Sequence, residues 1–166
     1  MIMTSLHLVL LLSIVLCSLV AGLLFGFAVV VMPGITKLQD REFLLSFKHM
    51  DGIIQNNQPL FILVWAGSII TLFSTLILGT LNLDGTELYL LWIASVLYLF
   101  GVQLPTFQFN IPLNNLLQSM DLQVLGESEL SSLRDDFEKP WNRWNRLRTI
   151  NSILSVSILL ILLIQL

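Results

Sequence analysis

Four long apolar stretches, separated by short polar segments, set the pattern of this sequence. Lys, Arg, Asp and Glu are absent from residues 1–36, 52–83, 88–120 and 149–166. Each of these gaps can hold most of a membrane span of about 20 residues. The pattern therefore predicts four transmembrane helices, at about residues 4–32, 59–81, 87–109 and 141–165. Because residues 149–166 alone make a short span, the fourth helix must begin before Arg148.

Three shorter segments carry apolar residues at helical spacing beside polar ones, at about residues 40–55, 111–120 and 128–139. In the first of them, an apolar stripe with Phe43 and Phe47 lies opposite Arg41 and Lys48. Amphipathic helices of this kind lie in the membrane interface or fold under a bundle. The predicted fold class is therefore all-α, a transmembrane four-helix bundle with short amphipathic interfacial helices in its two cytoplasmic loops. We treat residues 1–166 as a single integral membrane domain.

Proline and polar residues interrupt the inner end of the third predicted span. Pro105 should kink or end that helix, because proline removes a backbone hydrogen bond. Asn110 then has the character of an N-cap, with Pro112 in the first turn of a new short helix. Irregular backbone at membrane depth requires protein or water to satisfy it, so we predict a cavity between Gln103 and Asn115. Pro140 is predicted to lie in the first turn of the fourth helix.

The composition and the positions of the basic residues indicate a membrane protein of defined orientation. Hydrophobic residues make up 55% of the chain and charged residues 11%, with a mean hydropathy of +0.85. Soluble domains contain about 25% charged residues. All 8 Lys and Arg residues lie either between the first and second predicted spans or at residues 134–148, around the start of the fourth. The positive-inside rule makes these two loops cytoplasmic and places both termini outside the plasma membrane, which in a bacterium is the inner membrane.

One helical face near the start of the fourth span carries candidate chemistry. It consists of residues at spacings i, i+3, i+4 and i+7, namely Trp141, Trp144, Asn145 and Arg148. Carboxamides are expected at the same end of the bundle, namely Asn57, Asn110, Asn114 and Asn115. Together they predict a pocket for a flat, partly polar molecule such as an aromatic ketone, a phenol or a quinone. Arg148 would stabilise a phenolate or enolate there, as preorganised donors do for oxyanions.

Other interpretations of these residues stay open. Arg148 is also placed to extend towards lipid phosphates, with the tryptophans forming an ordinary interfacial belt. His49 is either a surface residue or a proton-transfer group, and one histidine is a weak metal pattern. The sequence contains no HExxH, CxxC, GxSxG, Walker or GxGxxG motif, and its few His and Cys residues fit neither a metal site nor a bis-histidine haem. It predicts no metal and no nucleic-acid partner, and identifies no cofactor.

Four motifs give the chain a resemblance to a known family. They are GLLFGFAVVVMPG at 22–34, NNQP at 56–59, NIPLNN at 110–115 and WNRWNRLRT at 141–149. In these motifs and their order, the chain resembles the small four-helix membrane proteins grouped with anthrone oxygenases, over nearly its whole length. Most members are uncharacterised bacterial membrane proteins. The resemblance implies a chemistry found in some fungal and actinobacterial relatives, which oxidise anthrones to anthraquinones with molecular oxygen and no established cofactor.

The family motifs can be assigned to positions of this chain. Its Asn-x-Pro-Leu-Asn motif falls on Asn110, Pro112, Leu113 and Asn114, and its Trp-Asn-x-x-Arg motif falls on Trp144, Asn145 and Arg148. Many relatives have a histidine directly after the Trp-Asn pair, where this chain has Arg146. If that histidine is a base in the relatives, His49 or Asp51 replaces it here, or no proton is abstracted.

Two functions follow from these observations. The first is an oxidoreductase, a cofactor-independent anthrone oxygenase-like monooxygenase for a lipid-soluble phenolic or anthrone-like substrate, with Arg148, Asn145 and His49 as catalytic residues. The second is a non-catalytic protein that binds a quinone, lipid or pigment, or an accessory subunit of a membrane complex. The expected partners are membrane lipids, a hydrophobic aromatic or quinone-like small molecule, and a second copy or partner helix packed on Gly22 and Gly26. A transporter is disfavoured, because a four-helix unit without internal repeats lacks the usual alternating-access machinery.

Overall fold

The computed structural model describes residues 5–166, which form five helices. Their bounds are α1 Ser5–Ile35, α2 Asp40–Gln55, α3 Pro59–Asn82, α4 Gly85–Ser119 and α5 Glu127–Gln165. No strand occurs between residues 5 and 166. α1, α3, α4 and α5 are each long and apolar enough to cross a membrane, so the predicted all-α fold with four spanning helices is confirmed. The predicted start of the first span at residue 4 lies outside the described residues.

The helices are apolar outside and contain small polar groups inside, as expected for a bundle in lipid. Large side chains such as Leu63 stay exposed on the outer surface. Inside, the hydroxyls of Ser13 and Thr75 lie 2.8 Å apart, and Ser155 donates to the carbonyl of Ala94 at 2.8 Å. Small side chains allow close approach of neighbouring helices, and these hydrogen bonds then connect α1 to α3 and α5 to α4.

The order of packing leaves one side of the bundle open. α1 packs between α3 and α5, and α5 packs between α1 and α4. α3 contacts α4 chiefly along Gly85–Tyr98, the half of α4 that follows the short link from α3. The other half of α4 packs on α5 and α2 instead. α3 and α4 therefore separate towards the end of the bundle where α2 lies.

The end of the bundle that carries α2 also carries the basic residues, and we call it the basic end. It is defined by Lys37, Arg41, Lys48, Arg134, Lys139, Arg143, Arg146 and Arg148. Arg134 connects its elements, because its guanidinium donates to Asp40 at 2.9 Å, to Glu138 at 2.8 Å, and to the carbonyls of Thr36 and Leu38. These bonds fix α2 beneath the bundle against α5.

Aromatic residues fill the space between α2 and the bundle. Phe47 packs edge-on against Phe137 and Trp141, with ring centroids 4.6 and 5.1 Å away, and Phe27 of α1 lies 5.6 Å from Trp141. Aromatic pairs in such tilted arrangements contribute about 0.5–1.5 kcal/mol beyond the area that they bury. This cluster packs one face of α2 against the bundle, and Asp51 lies further along that same face.

The third span differs from the prediction, because the segments 87–109 and 111–120 form one continuous helix, α4. Pro105 lies between two π-helical turns, Leu99–Gln103 and Thr106–Asn110, and Asn110 does not cap a new helix with its side chain. Ending the helix in the membrane would leave up to four carbonyls unsatisfied. A π turn keeps most of them bonded, through i to i−5 hydrogen bonds, and so accommodates the proline at lower cost.

The fourth span also extends further than predicted. The segments 128–139 and 141–165 form one helix, α5, and Pro140 lies in its interior rather than in a first turn. The predicted contact strip on α1 has no neighbour within the described residues, since no atom lies within 4 Å of a Cβ built on Gly22 or Gly26. A partner helix on that strip stays a prediction.

Candidate functional site

A cavity of about 190 Å³ lies at the basic end and is bordered by all five helices. Its aromatic wall consists of Phe27, Phe47, Phe61, Trp65, Phe107 and Trp141. Its polar wall consists of Asp51, Thr106, Asn110, Asn114, Asn145 and Arg148. An apolar hollow with a few convergent polar groups is the usual form of a small-molecule site.

Two of the three π turns contribute directly to the cavity wall. Phe27 begins the turn Phe27–Val31 in α1, and the turn Thr106–Asn110 in α4 supplies Thr106, Phe107 and Asn110. π turns are rare in proteins and occur frequently at functional sites. Their position here therefore supports a functional role for this cavity independently of its polar residues.

Arg148 is the only basic residue in the cavity wall, and only 4% of its surface is exposed. Nη1 donates to the hydroxyl of Thr106 at 2.9 Å, and Nη2 donates to Oδ1 of Asn145 at 3.0 Å. Its guanidinium carbon lies 5.9 Å from the ring centre of Trp141, within range of a cation–π contact. Hydroxyl, amide and indole groups therefore hold this cation in place of a carboxylate.

Asn145 orients Arg148 and joins it to α1. Its side-chain amide donates to the carbonyl of Leu24 at 3.1 Å, just before the π turn of α1. This bond fixes the side of the Asn145 amide that accepts from Arg148.

Asp51 is the acidic residue of the cavity wall, and it too is only 4% exposed. Its carboxyl group accepts from the side-chain amides of Asn114 at 2.8 Å, Gln118 at 2.9 Å and Gln55 at 3.2 Å. No Lys or Arg forms an ion pair with it in the described chain, and Arg148 likewise has no acidic partner there. One acidic and one basic residue therefore border the same cavity, and neutral hydrogen-bonding groups hold each of them.

Two asparagines of α4 connect this arrangement to the aromatic wall. Asn114 accepts from the indole N–H of Trp141 at 2.8 Å while it donates to Asp51, so it fixes both groups. Asn110 donates to the carbonyl of Trp141 at 3.3 Å. Each asparagine thus ties α4 to α5 at the level of the cavity.

Two polar atoms of the cavity wall have no hydrogen-bond partner, namely Nε of Arg148 and Oδ1 of Asn110. One is a donor and the other is an acceptor. A buried polar atom without a partner costs about 1–3 kcal/mol, so such atoms require an explanation. Both atoms are buried, but their side chains border the cavity, so a bound molecule that carries an acceptor and a donor would satisfy them once these side chains turn towards it.

The structure brings some of the predicted site residues together and leaves others apart. Arg148, Asn145, Asn110, Asn114 and Trp141 border the cavity. Four predicted residues lie outside its wall, namely His49, Asn57, Asn115 and Trp144. His49 is exposed in a separate groove of α2, and Asn57 is exposed in the turn before α3 with a φ of 59°. Asn115 is exposed and accepts from Gln55 at 2.9 Å, and Trp144 stacks on Phe109 with ring centroids 3.7 Å apart.

Asp51 and Thr106 belong to the cavity wall although the sequence analysis gave Asp51 only as an alternative and omitted Thr106. A signal for Asp51 was present, because it follows Phe47 by four residues and therefore continues the apolar stripe of α2. A carboxyl group in an apolar stripe is a site candidate. Thr106 carries no comparable signal, since threonines are common in membrane helices.

Residues 5–166 contain no cluster of three or more His, Cys, Asp or Glu side chains that could hold a metal ion. The polar wall of the cavity instead offers amides, a hydroxyl, one carboxyl group and one guanidinium. These groups suit an organic ligand with a polarised oxygen.

A comparison with protein families identifies the relatives of this chain. Residues 49–158 match the family model described as Anthrone oxygenase, which includes every residue of the polar wall. This match confirms the resemblance noted in the sequence. No curated protein and no solved structure matches the chain.

Proposed function

The chain belongs to the anthrone oxygenase family, and from that premise we propose that it is a membrane-embedded oxygenase acting on a lipid-soluble phenolic or anthrone-like substrate. The cavity at the basic end is its active site, and molecular oxygen is the oxidant. Asp51 is the general base, and Arg148 stabilises the anion that forms.

The observation that carries the proposal is that one buried acidic residue and one buried basic residue border the same cavity. Asp51 and Arg148 are each 4% exposed, and neither has an ion-pair partner among residues 5–166. Burying an unpaired charge costs several kcal/mol, so stability alone would favour apolar residues at both positions. Ionisable residues kept inside a membrane protein are functional candidates by default.

The proposed reaction begins with proton transfer. A carboxylate oxygen of Asp51 takes a proton from the CH₂ group opposite the ring carbonyl of the substrate. The electron pair of that C–H bond moves into the ring system, and the carbonyl oxygen becomes an enolate. Nε of Arg148, which has no hydrogen-bond partner among residues 5–166, donates to this oxygen.

Oxygen then completes the conversion. The carbanion carbon forms a bond to O₂, and protonation of the product gives a hydroperoxide. The hydroperoxide loses water to leave a carbonyl, so that R₂CH₂ and O₂ give R₂CO and H₂O. The carbanion supplies the electrons that reduce oxygen, and the balance needs no further reductant.

The neighbouring residues position these groups. Asn145 holds the guanidinium of Arg148 at 3.0 Å, and Asn114 holds Asp51 at 2.8 Å. Oδ1 of Asn110 has no partner and would accept from a phenolic hydroxyl of the substrate. Trp141 provides an aromatic face beside the ring.

We also propose the orientation given by the charge pattern, with the basic end cytoplasmic and both termini on the other side of the plasma membrane. Its support is the gathering of all 8 Lys and Arg residues at one end of the bundle, which the positive-inside rule assigns to the cytoplasm. A substrate would then reach the cavity from the cytoplasmic leaflet.

Oxygen uptake by the purified protein with anthrone tests the function. Asp51→Asn should lower kcat by about 10²–10⁴, the usual contribution of a general base. Asp136→Asn is the matched control, because Asp136 is exposed and forms no ion pair among the described residues, and it should retain the parent rate. Circular dichroism of both variants checks folding.

Two results would contradict the proposal. If the Asp51→Asn protein is folded and keeps the parent rate, Asp51 is not the base. If the parent protein binds anthrone saturably and consumes oxygen no faster than buffer, the non-catalytic binding function replaces the oxygenase.

A further inference from the structure

The cavity is bordered by residues that face the outside of the bundle as well as by buried ones. Phe107 of α4 is 56% exposed and Leu23 of α1 is 38% exposed, and both line the cavity. Phe61 and Trp65 of α3 also line it, stacked with ring centroids 5.5 Å apart. The cavity therefore extends from buried polar atoms to an exposed apolar surface.

The packing of the helices explains this opening. α3 contacts α4 chiefly along Gly85–Tyr98, whereas Phe107 lies in the other half of α4. The outer surfaces of α3 and α4 carry large apolar side chains, including Leu63 at 64% and Phe100 at 63% exposure. In a membrane, apolar surface of this kind contacts lipid chains. The opening between α3 and α4 thus leads sideways into the hydrocarbon.

The volume of the cavity limits what fits inside it. A closed cavity of about 150 Å³ holds a benzene molecule, and this one measures about 190 Å³. The enclosed part therefore has room for one substituted ring or for two fused rings, and any larger group must extend through the opening between α3 and α4.

From these observations we propose that the ligand of this cavity is a one-ring or two-ring phenol or hydroquinone that carries an alkyl or isoprenoid chain. The ring lies at the polar wall, where Nε of Arg148 donates to one ring oxygen and Oδ1 of Asn110 accepts from a ring hydroxyl. The chain leaves between α3 and α4 past Phe107 into the membrane. The proposal rests on the proposed function only in taking the same cavity as the site.

A photo-crosslinking experiment tests where the ring and the chain lie. The probe is a 2-methylnaphthohydroquinone with a ten-carbon chain at ring position 3 and a diazirine midway along that chain, added to the full protein in detergent micelles. After irradiation, mass spectrometry maps the labelled peptides. Label should concentrate on residues 59–65 of α3 and 104–111 of α4, and a tenfold excess of the unlabelled tailed compound should remove most of it.

Competition on the unchanged protein measures ligand preference without any risk of misfolding. The unlabelled tailed compound should compete at a concentration at least tenfold below that of anthrone or of 2-methylnaphthohydroquinone without a chain. In the Arg148→Met protein, the amount of label that the competitor removes should be at least tenfold lower than in the parent protein. In the Arg146→Met protein, which is changed two residues away at an exposed position, this amount should stay the same.

The results separate this inference from the oxygenase proposal. Label on α3 and α4 that the unlabelled tailed compound removes supports the tailed ligand, even if the protein takes up no oxygen with anthrone. Label spread over the outer surface of α1 or α5, or label that no competitor removes, overturns it. Turnover of anthrone with no competition by the tailed compound also overturns it, and leaves the oxygenase proposal standing.

Discussion

Replacing Arg148 by methionine distinguishes a residue kept for chemistry from one kept for folding. Methionine fills a similar length of space but has no charge and no donors. The substitution removes the bonds from Nη1 to Thr106 and from Nη2 to Asn145, at 2.9 and 3.0 Å. It also removes Nε, the donor that has no partner in the described part of the chain. We expect the variant to fold and to lose turnover.

Two effects of opposite sign determine its free energy of unfolding. The hydroxyl of Thr106 keeps its bond to the carbonyl of Val102 at 2.7 Å, so it is not left unsatisfied. Oδ1 of Asn145 does lose its donor, at a cost of about 1–3 kcal/mol. Against this, burying an ion costs several kcal/mol, and methionine removes that cost. The free energy of unfolding should therefore fall by no more than about 3 kcal/mol, the upper cost of one unsatisfied oxygen, because relief of the buried charge offsets that cost.

Turnover should respond much more strongly. Removing one preorganised donor to a developing oxyanion lowers kcat by about 10²–10³. Oxygen uptake with anthrone measures the rate, and equilibrium unfolding followed by circular dichroism in mixed micelles measures stability. Arg146→Met is the matched control, since it makes the same chemical change two residues away on an exposed position. It should leave both measurements close to those of the parent protein.

Either of two results would refute this reasoning. A loss of more than about 4 kcal/mol in the Arg148→Met protein would exceed the cost of one unsatisfied oxygen and show that Arg148 is required for folding. A rate within about threefold of the parent protein would show that its guanidinium donates to no developing anion, because about 100-fold is the smallest effect expected.

Two further predictions concern the packing of the bundle. Gly101→Ala should lower the free energy of unfolding by about 1–3 kcal/mol, because the added Cβ would lie 2.8 Å from Cβ of Asn151 and force α4 away from α5. Gly22→Ala is the control, because its added Cβ meets no neighbouring atom within 4 Å. It should not destabilise the protein in the same unfolding assay. Tyr98→Phe should cost about 0.5–1.5 kcal/mol in that assay, since it removes the 2.7 Å bond to the hydroxyl of Ser68, and should leave the oxygen-uptake rate unchanged because Tyr98 does not line the cavity.

The spanning helices could be predicted because lipid imposes a simple rule on the sequence. Every residue that faces hydrocarbon must be apolar, so stretches without charge mark the spans directly. Their continuity could not be predicted in the same way. Pro105 and Pro140 are reliable signs of a missing backbone bond, but the sequence does not tell whether the chain ends the helix or reroutes its hydrogen bonds. α4 reroutes them through π turns, which leave no distinctive residue pattern.

The candidate site shows where helical periodicity stops being informative. It placed Trp141, Asn145 and Arg148 on one helical face, and all three border the cavity, because residues on one face of one helix need no knowledge of the fold. It also included Trp144, which lies on the edge of that face and stacks on Phe109 instead. Asp51 joins the group only through the packing of α2 against α4 and α5, and such contacts between distant segments depend on how whole helices dock.

The arrangement of neutral donors leaves both charged residues of the cavity wall without an ion-pair partner among residues 5–166. A direct ion pair between Asp51 and Arg148 would satisfy both groups and leave no charge for a ligand. Three amides hold Asp51, and Thr106 with Asn145 holds Arg148, so each is oriented without being neutralised. A ligand that gives up a proton on one side and gains negative charge on the other meets a preorganised partner for each change. The asparagines of the cavity wall are therefore as much a part of the proposed chemistry as the two charged residues that they orient.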